Sequence, residues 1–258
     1  YINSVGVLHH LDQPEAGLRS LAAALAPTGL LHLFLYADAG RWEIHRTQRA
    51  LTLLQVGTEA EGLRLGRELF ETLPEQNRLR RHHEQRWAVD CAADANFADM
   101  YLHPQETSYN LERLLGFAAT AGLHFAGFSN PELWDQARLL TGELLERAQA
   151  LPARQQWALV EELDPDISHF EFFLSKAPLK RRVWSDAELQ EATAIRQPCL
   201  WGEPDPILGR NMEPIQLSED AKAVLSAVGE TPTLPLGQVA PAALIRDLVD
   251  RQLILLQG

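Results

Sequence analysis

Two adjacent histidines, His9 and His10, follow directly on the apolar run YINSVGVL at the start of the chain. An imidazole titrates near neutrality, so one of them could take a proton from a substrate or orient it. The plainer reading is a packing or capping histidine at a strand-to-helix turn. A shared metal is not expected, because adjacent side chains on a strand point to opposite faces. A second group follows the next apolar run: Tyr36, Arg41 and His45. Arg41 suits a substrate carboxylate or phosphate, or else is a surface arginine near a helix start; Trp42 reads as core. Asp99, Tyr101, His103 and Tyr109 form a third group in an irregular stretch, either a lid over a pocket or a satisfied loop network. His82-His83, beside Arg80-Arg81, reads as a solvated helix face. Cys91 and Cys199 are too few and too far apart for a disulfide framework or a zinc site, and suit a reducing cytosol.

These residues need elements to place them. Residues 1–8 read as a buried strand. Asp12 and Pro14 suit the start of a helix. Leu18, Leu21, Ala22 and Leu25 then recur at helical spacing. Pro27-Thr28-Gly29 turns the chain into LLHLFLY, residues 30–36, a second strand. Strand, helix and strand with short links make a βαβ unit with parallel strands. Residues from Gly40 to about 55 are helical, 59–86 helix-prone and 82–105 irregular. An amphipathic helix, 108–121, closes at Gly122. Residues 123–129 and 167–176 alternate as strands, with helix between them broken near Pro152. Prolines 198, 204, 206 and 214 make 184–216 a linker. The tail, 217–258, is a winged-helix-like module: helix 218–228, a short helix near 236–240, helix 241–251 and a strand at 253–257.

The run SVGVLHHLDQPEAGLRSLAAALAPTGLLHLFLY (4–36) resembles the middle of bacterial class I S-adenosylmethionine-dependent methyltransferases of the type 11/12-like kind. The turn Pro27-Thr28-Gly29 is a small departure from that family's P-G-G-like turn. LYADAGRWEI (35–44), DMYLHPQETSYNLERLLGFAATAGLHF (99–125) and ISHFEFFLSK (167–176) resemble its later segments. The likeness covers about residues 1–177. It implies an α/β fold: the C-terminal half of a Rossmann-like methyltransferase sheet, four strands with flanking helices. The division that follows is 1–183 for the partial methyltransferase domain with helical insertions, 184–216 for the linker and 217–258 for the C-terminal module. The resemblance implies that backbone at Ser4, Val5 and Gly6 faces the cofactor, where open α/β sheets place ligands. His9 and His10 are then the catalytic candidates, and Tyr36, Arg41, Asp99, His103 and Tyr109 the acceptor-binding ones.

The family's glycine-rich cofactor loop is not in the sequence. The expectation is therefore a fragment that alone binds S-adenosylmethionine weakly or not at all, with the intact protein methylating a small molecule or a protein. A rival reading is a non-catalytic interaction or scaffold protein derived from such an enzyme. Residues 1–8 would form an apolar sheet edge, covered by self-association into a homo-oligomer or by the chain's own helices. No apolar run reaches the roughly 18 residues of a membrane span, and no signal peptide is visible, so the expected place is the cytoplasm. Methyl transfer itself needs alignment and water exclusion more than covalent help.

A third reading is a winged-helix regulator of DNA. The net charge is −12, and helix 241–251 sets Arg246 and Arg251 against Asp247 and Asp250. Neither favours phosphate contact. Filter binding to duplex DNA across a salt series is expected to show no salt-sensitive binding; a steep salt slope would reinstate that reading.

Overall fold

A computed structural model describes residues 1–179, 182–197, 207–208 and 214–257. The chain divides into two compact units, Tyr1–Leu179 and Lys180–Gly258.

The first unit is built on β1 (Ile2–Val5), β2 (Leu30–Tyr36), β3 (His124–Phe128) and β4 (His169–Ser175). The sheet order is β1-β2-β4-β3. β1 and β2 are parallel, joined by α1 (Pro14–Ala24) as the βαβ pattern requires; β4 runs antiparallel to both its neighbours. Period-two alternation sets the register. Leu31, Leu33 and Leu35 of β2 pair with Leu174, Phe172 and Phe170 of β4, and all six are fully buried. A slip of one residue would turn all of them out of the core.

Helices cover that apolar face. α1 contributes Leu18 and Ala22 to the core, α6 (Leu111–Thr120) contributes Leu114 and Phe117, and α8 (Ala153–Leu163) contributes Val160. Each buried leucine or phenylalanine contributes about 1.5–3 kcal/mol relative to exposure. Gly122, at φ 66°, ends α6 in the left-handed conformation that glycine tolerates. The N-terminus of α6 is capped from another helix: both carboxylate oxygens of Glu161 accept from the Leu111 N–H, at 3.0 and 3.1 Å. α7 (Gly142–Gln149) precedes α8, and the break between them falls at Pro152 as expected.

Between β2 and α6 lies a helical insertion with its own small core of Ile44, Leu51, Phe70, Phe97 and Tyr101. Its elements are α2 (Trp42–Leu53), α3 (Ala60–Thr72), α4 (Arg78–His82) and α5 (Asp94–Phe97). Residues 82–105 are more ordered than their composition suggests. Two π-helical turns, His83–Trp87 and Ala98–Leu102, lie within them. A π turn carries one residue more than an α turn, so apolar positions lose the 3.6-residue spacing by which a helix is read. Trp42 is 44 % exposed rather than core, with the Arg46 and Arg78 guanidinium groups over its ring.

The second unit corrects the expected linker. Within 184–216, Ser185 caps α9 (Asp186–Glu191) through a reciprocal bond with Glu188, and β5 (Thr193–Arg196) follows. The capping box and the strand both lie upstream of the prolines that suggested a linker. Cys199 and Pro198, Pro204 and Pro206 lie outside the described residues. The short strands β6 (Ile207–Leu208) and β7 (Pro214–Ile215) pair with each other. α10 (Glu219–Glu230), α11 (Ala242–Asp250) and β8 (Ile254–Gln257) complete the unit, and β8 pairs antiparallel with β5. Leu189, Val224, Leu225, Ile245, Leu248 and Leu253 fill its core.

Among the described residues β1 has a strand neighbour on one side only. Val5 is 48 % and Val7 49 % exposed, so this unit's own helices do not cover that edge. At the other end of the βαβ unit, Gly40 sits against the backbone entering β4. A Cβ there would lie 2.5 Å from the carbonyl of Ile167 and the nitrogen of Ser168. Gly40→Ala is expected to destabilise the first unit by about 1–3 kcal/mol, measured by urea denaturation; an unchanged midpoint would show that the β4 entry yields freely.

Candidate functional site

The site is assembled at the C-terminal ends of β1 and β2. Gly6, at φ 71°, ends β1, and a Cβ placed there would meet nothing within 4 Å. Ser4 is buried in the sheet and Val5 exposed. The chain then makes a single 3-10 turn, Leu8–His10. Neither histidine is therefore on a strand. Their rings meet edge to face, with centroids 4.3 Å apart, but His9 is enclosed while His10 is only partly buried and bonds to Gln105.

His9 is 0 % exposed, and neither ring nitrogen has a hydrogen-bond partner. Burial, followed by the nearby His10, lowers its pKa to about 3. It is a neutral ring that stacks on Tyr36 with centroids 3.8 Å apart. The Arg41 guanidinium lies 3.5 Å from the same Tyr36 centroid. Two groups that close must occupy opposite faces, so Tyr36 is held between His9 and Arg41. Burial pushes the Tyr36 phenol up to about 12; it stays protonated and donates to Asp99 Oδ2 at 3.2 Å. The expected catalytic role for His9 does not fit this enclosure, because it presents no surface to an acceptor.

Arg41 is likewise internal. It is 3 % exposed and forms a two-pronged pair with Glu106, itself 6 % exposed. Nε donates to Oε1 at 2.9 Å and Nη2 to Oε2 at 2.6 Å. His45 Nε2 donates to Oε1 at 3.2 Å and Gln48 Nε2 to Oε2 at 3.3 Å. The carboxylate that Arg41 was expected to take from a substrate is thus supplied by the chain itself. Burial pushes Glu106 upward, but the hydrogen bonds from His45 and Arg41 and their charges outweigh it and hold its pKa at about 2.

The segment carrying Glu106 is stitched down along its length. Thr107 N–H donates to the His9 carbonyl at 2.8 Å, Tyr109 N–H to that of Tyr36 at 2.9 Å, and Asp38 N–H to that of Tyr109 at 2.8 Å. Gln105 Nε2 reaches the Leu11 carbonyl at 2.9 Å, and the His10 Nδ1–H donates to the Gln105 carbonyl at 3.1 Å. These bonds bring Asp99 and His103 to His10. Asp99 Oδ1 is 3.7 Å from His10 Nε2, and the His10 and His103 rings are 4.0 Å apart. Tyr109 does not join them: it is buried against Phe117 in the main core. Of the expected residues, His9, His10, Tyr36, Arg41, Asp99 and His103 converge, His9 and Arg41 as buried supports of Tyr36. Glu106 and Gln105 were missed. The only sequence signal was an acid in HPQETSY, between two residues already singled out.

No family model matches this sequence. An uncharacterized protein of Synechococcus sp. is 45 % identical over 270 residues, a match that takes in 99 % of this chain and 64 % of the relative. Among solved structures, PKMT2 from Rickettsia typhi is similar with a TM-score of 0.61 at 15 % identity, over 99 % of this chain and 58 % of that one. The same protein in complex with AdoHcy gives 0.59 at 16 %, with the same coverage. The chain thus spans less than two thirds of the length of either relative. It has a methyltransferase-like fold, and the four expected strands are present in it.

Glu106→Gln is expected to cost about 3–5 kcal/mol, because it leaves the Arg41 charge buried without its counter-ion. The Glu106 pKa is lowered on folding from 4.5 to about 2, so its contribution is present above the unfolded value and lost as pH falls through the folded one. Denaturant melts between pH 7 and 3 should show an acid loss in the parent that is smaller in Glu106→Gln. Parallel pH curves would refute the assignment.

Proposed function

We propose that this chain is part of an enzyme that transfers a methyl group from S-adenosylmethionine to an acceptor, either a small molecule or a protein. The observation that carries the reading is the fold likeness along 99 % of the chain to a structure that holds AdoHcy, the product left when S-adenosylmethionine gives up its methyl group. The residues at the end of β1 fit such a cofactor. Gly6 leaves open space where a Cβ would stand, and Val5 is exposed beside it.

When bound, the sulfonium supplies an already activated methyl group. The chain's own part is to bind, align and exclude water. Ser4, Val5 and Gly6 would border the cofactor through backbone. Tyr36, fixed between His9 and Arg41, would shape the acceptor side, with His10, Asp99 and His103 at its rim. The motifs at 35–44 and 99–125 support the type 11/12-like subclass. In the second unit, the order of α10, α11 and β8, with β8 paired to β5, supports a winged-helix-like module. Among the described residues no helix is long and apolar enough to cross a membrane.

Calorimetric titration of AdoHcy into the protein that carries this chain tests the reading. Saturable binding is expected, and Gly6→Val should weaken it by at least about tenfold, or 1.4 kcal/mol. Absence of binding would favour the non-catalytic scaffold reading instead.

A further inference from the structure

His10, Asp99 and His103 come from segments about ninety positions apart in sequence, yet each offers a ligand atom within 4.8 Å of the other two. We propose that these three side chains hold a divalent transition-metal ion of the zinc class. Among the described residues no second group of three such side chains comes together. The inference goes beyond the methyl-transfer reading and stands without it.

Geometry carries the argument. Two ligands about 2.1 Å from a tetrahedral zinc are roughly 3.4 Å apart. His10 Nε2 and Asp99 Oδ1 are 3.7 Å apart, too long for a hydrogen bond and close to that edge. The outer partners fit as well. The His10 Nδ1–H donates to the Gln105 carbonyl, which leaves the lone pair on Nε2, the nitrogen facing Asp99. A metal-bound imidazole is usually oriented this way. Tyr36 occupies Asp99 Oδ2 and leaves Oδ1 for the ion. Asp99 lies in the π turn Ala98–Leu102 and His103 directly after it, so one backbone turn aims both at His10. His103 Nδ1 accepts a long bond from the Gln105 N–H, 3.2 Å, which metal binding replaces.

The donor set selects the metal. Two imidazoles and one carboxylate suit zinc, iron or cobalt; magnesium and calcium prefer all-oxygen shells. Three protein ligands leave a fourth position for water or for an oxygen or nitrogen donor from a bound molecule. Asp99 is exposed, so that position opens to solvent.

The test is titration of the metal-free protein with Zn²⁺ by calorimetry, and with Co²⁺ by visible absorption. One equivalent should bind, with d–d bands of low-symmetry nitrogen and oxygen coordination. Tyr36→Phe should weaken binding about 10- to 100-fold, as loss of an outer partner does. His10→Ala, Asp99→Asn and His103→Ala should each weaken it more. His124→Ala, on the exposed start of β3, should leave it unchanged. Should His10→Ala fail to fold, as seen by circular dichroism, the half-exposed His103 decides the matter. No binding, or unchanged binding in His103→Ala and Asp99→Asn, would overturn the proposal.

Discussion

The pair of Arg41 and Glu106 ties together two parts of the chain that otherwise have separate cores. Arg41 leads out of the sheet into the helical insertion, and Glu106 sits on the segment that brings the chain back. Both charges are out of water, which is costly unless each prong is satisfied. Here both carboxylate oxygens and two guanidinium nitrogens are engaged. The pair adds geometric specificity: a two-pronged Arg–carboxylate contact fixes angle as well as distance. Tyr36 then has one place to lie, between Arg41 and His9, and its hydroxyl aims at Asp99. Tyr36 and Asp99 take their positions from that pair, while His10 and His103 are set by their bonds to Gln105 beside it.

The sheet was legible in the sequence because its strands are short apolar or alternating runs bounded by turns. Leu31, Leu33 and Leu35 are fully buried, Phe34 and Tyr36 only partly so, and His32 is buried among them. The residues that converge at the site were legible as types but not as partners. His10 stands out as a histidine after an apolar run and His103 as one in an irregular stretch, yet nothing local says that a strap of backbone bonds brings them together. Arg41 looked like a ligand for something external because its counter-ion, Glu106, lies 65 positions away in a polar stretch with no periodicity. His9 looked chemical because it sits next to His10, and burial was the deciding fact. Cross-chain pairing of this kind depends on how far the insertion folds back, and composition does not encode that.

The second unit shows the converse error. Its prolines suggested an unstructured connection, but the Ser185–Glu188 capping box starts a helix at once, and β5 exists because β8, some sixty residues later, supplies its partner. A four-residue strand such as β5 has little signature of its own; its stability lies in the pairing.

The π turn at Ala98–Leu102 has a consequence for how this sequence can change over time. An α turn and a π turn differ by one residue, and each residue rotates a helix by about 100°. Deleting one residue anywhere from Ala98 to Leu102 would let the turn relax to ordinary helix. His103 and the strap behind it would then swing away from the ends of β1 and β2. A change of length here moves everything that follows, whereas a substitution acts only at its own position. Relatives that keep the same working edge should therefore hold the residue count of this turn fixed, along with Asp99 and the buried Tyr101 and Leu102.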